Sequence, residues 1–290
     1  MITFADAPHI SVCCFGEAAL RVVLTSRLDM EDALTVARRV LKALEERNVE
    51  VFVEERVAKS LDAGRTCKLE SADADFAIVV GGDGTVLRVV GKLRKQVPIV
   101  GVRMGRLGFI ASVDPENVEA MIERLVRGEY FLEKVDRIEA KMDKRTVAEA
   151  LNDVVVKSKA PEKMVRVRVT EKGGEQLIDG FMDGVIVATS IGATGYALSA
   201  GGPVVDPRLS VFEVVPLSPM RISTRPVILP STVKLAIEVA GAVDVVVDGR
   251  TLASFEDCTV EVERSEEPAI FVRFERDFYR RVKERQMRDL

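Results

Sequence analysis

Histidine is nearly absent from this chain of 290 residues; His9 is the sole example. Its scarcity excludes Ser-His-Asp and Cys-His catalysis and any two-histidine metal site. A general base must then be a carboxylate, lysine, tyrosine or cysteine. Cysteine is scarce as well: Cys13, Cys14, Cys67 and Cys258 show no Cys-x-x-Cys spacing. That pattern argues against a zinc site or a disulfide framework and makes a reducing, cytoplasmic compartment the expectation. Met1–Pro8 holds no basic residue, so it lacks the n-region of a secretory signal. The one long uncharged stretch, Gly184–Val205, is broken by Gly192, Gly195, Gly201, Gly202 and Pro203. A strand followed by a glycine-rich turn is therefore expected there, not a membrane span. A basic excess is also missing: 42 Lys and Arg stand against 46 Asp and Glu, a net charge of -4. Nucleic acid is thus not the expected partner.

What is present supports a substantial core. Hydrophobic residues make up 47% of the chain and charged residues 30%, and the length suits one large domain or two modest ones. Leu20–Thr25, Val49–Val53, Phe76–Val80 and Pro98–Val102 read as buried strands. Between them, Asp29 is placed to cap a helix with Ala33, Ala37, Val40, Leu41 and Leu44 on one face. Val86–Leu93 predicts another helix, and Asp114 is placed to cap one starting at Pro115 and ending before Gly128. This alternation predicts an α/β domain with a parallel sheet over residues 1–130. After about Tyr130 the pattern changes. Val165–Thr170, Leu177–Phe181, Val185–Ala188, Val211–Val215, Val233–Val239, Val243–Val247 and Ile270–Phe274 read as strands with few helices between them. A largely β domain is expected over 131–274. Helix formers across 275–290 predict a C-terminal helix, free or packed back on the first domain.

Three segments carry chemistry. The first is Gly81-Gly82-Asp83-Gly84-Thr85, directly after a buried strand. Its glycines allow positive φ and close approach of phosphate oxygens to N–H groups. The next helix would aim its positive end at the same place, and Asp83 adds a carboxylate at the carboxyl edge of the sheet. The alternative is a plain strand–helix turn with Asp83 as N-cap. No G-x-x-x-x-G-K-[ST] motif exists, and a G-x-G-x-x-G reading from Gly82 fails at Leu87. The second segment is Asp183-Gly184, then Thr189–Tyr196, then Leu198–Pro203, a set of small and hydroxyl residues behind a strand. It either wraps a ligand, with Tyr196 as a stacking face, or forms a glycine-rich bend. The third is Asn152-Asp153, able to grip ribose hydroxyls or to serve as a strand-entry turn. Arg103 and Arg106 follow a strand and either meet phosphates or lie solvated.

In this order the segments resemble the NAD kinases, from Leu20 to Phe274. The Gly81–Thr85 turn is shared with a wider superfamily that includes diacylglycerol kinases and phosphofructokinases. Leu107-Gly108-Phe109, Leu151-Asn152-Asp153, Asp183-Gly184 and the run from Thr189 to Pro203 resemble NAD kinases in particular, with Arg225-Pro226 and Asp248-Gly249 in matching places. The resemblance implies ATP and Mg²⁺ as the donor pair and NAD as the acceptor. Asp83 would be the base for the adenosine 2′-hydroxyl, with Gly82, Gly84 and Thr85 shaping the phosphate turn. Phe109 would line the dinucleotide site. Asn152 and Asp153 would hold ribose hydroxyls. Thr194, Gly195 and Tyr196 would surround the adenylate half, with Ser199 nearby. Asp183 would reach a dinucleotide held mainly by a neighbouring subunit, which implies a dimer or tetramer. No metal ligand is assigned, and a second possibility is that Asp83 holds Mg²⁺ instead of acting as the base. Family members usually read Thr-Pro-Thr-Gly-Ser-Thr-Ala-Tyr where this chain has Thr189–Tyr196. They often carry Glu at Asp153, His at Met220 and Gln at Arg250. Two rival functions stay open at this point: a superfamily kinase for a lipid or small diol, and a non-catalytic NAD(P)-binding regulator.

Overall fold

The computed structural model describes residues 20–105, 108–142, 145–160 and 162–288. His9, Cys13, Cys14, Arg106 and Leu107 lie outside the described residues. The chain divides into two compact units. One runs to Lys134 and resumes at Ile270; the other is Val135–Ala269.

The first unit alternates strand and helix. Its elements are β1 (Arg21–Ser26), α1 (Glu31–Glu45), β2 (Glu50–Glu54), α2 (Glu55–Leu61), β3 (Thr66–Cys67), β4 (Phe76–Gly81), α3 (Asp83–Val90), β5 (Ile99–Arg103), α4 (Val118–Val126) and β6 (Phe131–Val135). The second unit contributes β7 (Ile138–Met142), β8 (Arg145–Ala150), β9 (Asp153–Ser158), β10 (Val165–Glu171), β11 (Gln176–Met182), β12 (Gly184–Thr189), α5 (Tyr196–Ser199), β13 (Val211–Leu217), β14 (Val227–Pro230), β15 (Leu235–Val247) and β16 (Arg250–Arg264). β17 (Ala269–Arg273) and α6 (Phe278–Arg288) follow.

In the first unit the strand order is β3-β2-β1-β4-β5-β17-β6. β1 pairs in parallel with both β2 and β4, and β5 in parallel with β4 and β17. Both faces of such a sheet are covered, so its central strands are largely apolar; every residue of β4 is buried. The order turns back on itself between β1 and β4, which opens a crevice beyond their carboxyl ends. Gly81 and Asp83 lie at that edge. Two expected caps are corrected here. Asp29 does not cap α1: Met30 holds the N-cap position without a side-chain bond, and Asp29 instead accepts from Arg27 at 2.8 Å. Asp114 likewise makes no cap bond, and the helix opens as a single 3-10 turn at Pro115–Asn117. In both places an arginine outcompetes the N–H groups, because a charge-assisted pair is the stronger hydrogen bond: Arg103, one candidate phosphate ligand, is paired to Asp114.

The second unit is a ten-stranded sheet assembly with antiparallel pairings throughout. The two strands expected at Val233–Val239 and Val243–Val247 are one, β15, continued through an irregularity between Val239 and Ala242. Gly241 sits there at φ 122°, where only glycine is unstrained. The uncharged stretch Gly184–Val205 folds as β12, a 3-10 turn at Gly192–Thr194, and α5. Among the described residues no helix is long and apolar enough to cross a membrane.

Candidate active site

β4 delivers its chain to the crevice, and Gly82, extended at φ -87°, takes the N-cap position of α3. A Cβ on Gly81 would collide with the Thr85 side chain, so the tight turn requires glycine there. Thr85 N–H donates to Gly82 C=O at 2.9 Å, closing the turn. Asp83 is not a cap. Its carboxylate points at the next loop and accepts three consecutive peptide N–H groups: Phe109 to Oδ2 at 2.7 Å, and Ile110 and Ala111 to Oδ1 at 3.1 and 3.0 Å. Gly108 is what lets the loop come so near, because a Cβ there would collide with the carboxylate. Phe109 therefore contributes its backbone. Its ring is 4% exposed and packs against Phe278 at 5.9 Å.

Sequence reasoning missed a buried cluster beside this turn. Arg88 on α3 forks onto Glu54 at 2.6 and 2.7 Å and reaches Thr25 at 3.1 Å. Burial pushes the Glu54 carboxyl up, but the Arg88 guanidinium and the Thr25 hydroxyl hold it below its ordinary range. This pair ties the last turn of α3 to the ends of β1 and β2. The only signal in the sequence was an ionisable residue at each end of apolar elements.

In the second unit Asp248 repeats the device seen at Asp83. Its carboxylate accepts from Leu151, Asn152 and Asp153 N–H at 2.9, 2.8 and 3.3 Å. Asp248 sits at φ 46° and Gly249 at φ 75°, the Asp-Gly pairing of a tight hairpin, so the signal was readable. The Asn152 backbone C=O accepts from Thr189 N–H at 2.9 Å, and Thr189 Oγ1 donates to Leu151 C=O at 2.6 Å. Asn152 Oδ1 is buried with no hydrogen-bond partner among the described residues. A buried acceptor left so costs stability unless a ligand satisfies it. Asp153 is 6% exposed. Burial, and then the Asp248 charge, push its carboxyl up to about 7.

The other expected positions fall into committed and open groups. Thr194 is buried and its hydroxyl donates to Ile191 C=O at 2.8 Å. Gly195 N–H donates to Gly192 C=O at 2.8 Å. Tyr196 is exposed, and Ser199 is exposed with one long bond of 3.5 Å to Gly195 C=O. The half-buried Asp183 is fixed through its backbone, N–H to Leu217 C=O at 2.9 Å. Below this segment lies a group the sequence reading overlooked: Glu213 on β13 is fully buried, with both carboxyl oxygens unpartnered among the described residues. Burial pushes it up to about 7. A Cβ on Gly202 would collide with it.

Residues 22–130 match the model of the ATP-NAD kinase N-terminal domain, and residues 151–274 that of the ATP-NAD kinase C-terminal domain. The chain belongs to the NAD kinase family. It is 35% identical over 275 residues to the NAD kinase of Methanothermobacter thermautotrophicus, covering 92% of this chain and 96% of that one. Against the NAD kinase of Pyrococcus abyssi it is 36% identical over 278 residues, covering 92% and 100%. Among solved structures, an NAD kinase from Archaeoglobus fulgidus in complex with ATP superposes with a TM-score of 0.76 at 33% identity, covering 91% and 99%. Yeast NADH kinase complexed with NADH, at 22% identity, shares the fold with a TM-score of 0.84, covering 92% and 87%. The glycine turn and the Asn152-Asp153 entry each fall inside one of the two matched NAD kinase domains.

Proposed function

We propose that the protein is an ATP-dependent NAD kinase whose base is Asp83. The observation that carries this reading is the Asp83 carboxylate, fixed by three N–H groups beside a glycine turn at the carboxyl edge of a parallel sheet. A carboxylate offers about four lone-pair sites. Two N–H groups occupy Oδ1 and one occupies Oδ2, so Oδ2 keeps a free lone pair for the adenosine 2′-hydroxyl. That proton passes to Asp83 as the 2′-oxygen bonds to the γ-phosphorus; the bond from the γ-phosphorus to the β–γ bridging oxygen breaks, and ADP leaves. Such transfer asks the protein mainly for alignment and charge neutralisation.

Gly82 and Gly84 present their N–H groups to the phosphates, and Thr85 shapes the turn by closing it onto Gly82 C=O, with the N-terminus of α3 behind them. Mg²⁺ fits as an ion held chiefly by the ATP phosphates. Asp83 has one lone pair to spare, enough for a single ligand, so phosphate oxygens would supply the rest. Bound there, the ion would neutralise charge on the β- and γ-oxygens. Asn152 and Asp153 hold ribose hydroxyls, a role supported by the unpartnered Asn152 Oδ1. Gly195 and Tyr196 offer backbone and an exposed ring to the adenylate half, Thr194 shapes the turn, and Ser199 lies open nearby. Asp183 serves a dinucleotide of a neighbouring subunit in a dimer or tetramer. Phe181, two residues before Asp183, and Met220, whose N–H donates to Phe181 C=O at 2.9 Å, are 53% and 70% exposed, apolar surface of the kind buried between subunits. Free Cys67 and Cys258 accord with a cytoplasmic setting.

The test is NADP formation from NAD, ATP and Mg²⁺, with a lipid diol and a sugar phosphate offered in parallel. Wild type forms NADP, and Asp83→Asn loses about 10²- to 10⁴-fold in kcat. Phosphorylation of the lipid alone, or tight NADP binding without turnover, overturns the reading.

A further inference from the structure

Two arginines from the end of the chain grip the loop that holds Asp83. Arg281 on α6 donates from Nη1 to Phe109 C=O at 2.8 Å. Arg273 at the end of β17 donates from Nη1 to Ile110 C=O at 2.6 Å. Both side chains are buried, and the residues are 6% and 4% exposed. The covalent connectivity makes these contacts specific. Phe109 C=O and Ile110 N–H belong to one peptide unit; Ile110 C=O and Ala111 N–H belong to the next. These two N–H groups are the ones that donate to Asp83 Oδ1. Each guanidinium is therefore joined through a single rigid peptide plane to the same carboxylate oxygen. Hydrogen bonds in such chains polarise and strengthen one another at low dielectric.

We infer that Arg281 and Arg273 are positioning residues for phosphoryl transfer: through the Phe109–Ala111 peptides they lock Asp83 Oδ1 and leave Oδ2 as the oxygen that takes the acceptor proton. This rests on the reading of Asp83 as base. The arginines are themselves held in place. Arg281 pairs with Asp277 at 2.8 Å, and Arg273 with Glu133 at 2.7 Å. Phe278 lies against the Phe109 ring, and the Arg285 guanidinium stands 5.4 Å from the centre of that ring. An apolar C-terminal helix would fill the same space, but it would supply no donor to the Phe109 carbonyl.

The cleaner substitution is Arg281→Met, because Asp277 keeps its pair with Arg280 at 2.9 Å. The experiment compares the full-length wild type, Arg281→Met, Asp83→Asn and the double variant in a sensitive NADP assay. Arg281→Met is expected to lower kcat roughly ten- to hundredfold, with the KM values for ATP and NAD within about twofold of wild type. In the Asp83→Asn background the same change should alter kcat less than about twofold, the signature of two residues acting as one unit. Amide exchange at Ile110 should speed at least about tenfold while that at Ala111, served by Arg273, changes less. Unchanged kcat, an equal loss in both backgrounds, or unchanged Ile110 exchange overturns the inference while leaving the base intact. Full turnover by Asp83→Asn overturns the base reading itself. Should Arg281→Met not fold, Arg281→Lys enters the same cycle, with a smaller loss expected and the same criteria.

Discussion

Asp83 in the first unit and Asp248 in the second are held alike, each by three consecutive peptide N–H groups. Their neighbourhoods differ. In the same unit as Asp83, Glu54 is matched by the half-buried Arg88 and Glu133 by the buried Arg273. Around Asp248, Asp153 is buried beside a like charge, and Glu213 lies buried in the same unit without any donor. The first unit thus fixes its acids in place with charge-assisted hydrogen bonds, an arrangement suited to aligning one reacting atom. In the second unit the acceptors of Asn152 and Glu213 are left unfilled among the described residues, which suits a site awaiting a polar ligand, since a bound partner satisfies what folding left open.

The sharpest way to break this contrast is at Gly108. Gly108→Ala puts a methyl group against the Asp83 carboxylate, and kcat should fall by about 10²-fold with little change in KM. An unaffected kcat would mean that the loop and carboxylate separate during turnover. Next in size is Asp248→Asn. It takes one acceptor oxygen from three N–H groups and should cost on the order of 1–3 kcal/mol in a denaturant melt. The KM for NAD should rise roughly tenfold, equal to about 1.4 kcal/mol of lost binding, with kcat largely kept. A loss in kcat with KM unchanged would place Asp248 with Asp83 and erase the distinction.

The effect at Glu213 is on stability alone, and it depends on pH. Its folded value of about 7 lies above the ordinary 4.5. The folded state then holds a proton that the unfolded state releases between those values, so stability from this group falls as pH rises through about 4.5 to 7. Glu213→Gln abolishes that dependence. At pH 8 the variant should be more stable by on the order of 1–3 kcal/mol, and at pH 4 equal to wild type. Thermal melts across this range measure it; a difference that does not grow with pH would show Glu213 to be solvated.

The strand cores and the glycine turn were legible in the sequence because burial on both faces demands unbroken apolar runs and because the turn tolerates no side chain at Gly81. Asn152, Asp153 and the Thr189–Tyr196 run could be picked out by residue type. The expected caps at Asp29 and Asp114 failed because arginines, close in one case and eleven residues away in the other, captured the carboxylates. Glu213 was visible in principle, as a lone acid inside the apolar run Val211–Leu217. The hold of Arg273 and Arg281 on the Asp83 loop was not, since no local pattern ties residues separated by 163 and 172 positions.

That separation has a bearing on synthesis. The first unit is written in two pieces with the whole of the second between them. At about 5–20 residues per second, a ribosome needs roughly 10–30 s to travel from the Phe109 loop to its arginines. Throughout that interval the emerging polypeptide carries the glycine turn and its aspartate without the guanidinium supports. The Asp83 loop thus gains its two arginine contacts only after the intervening sheet has been made.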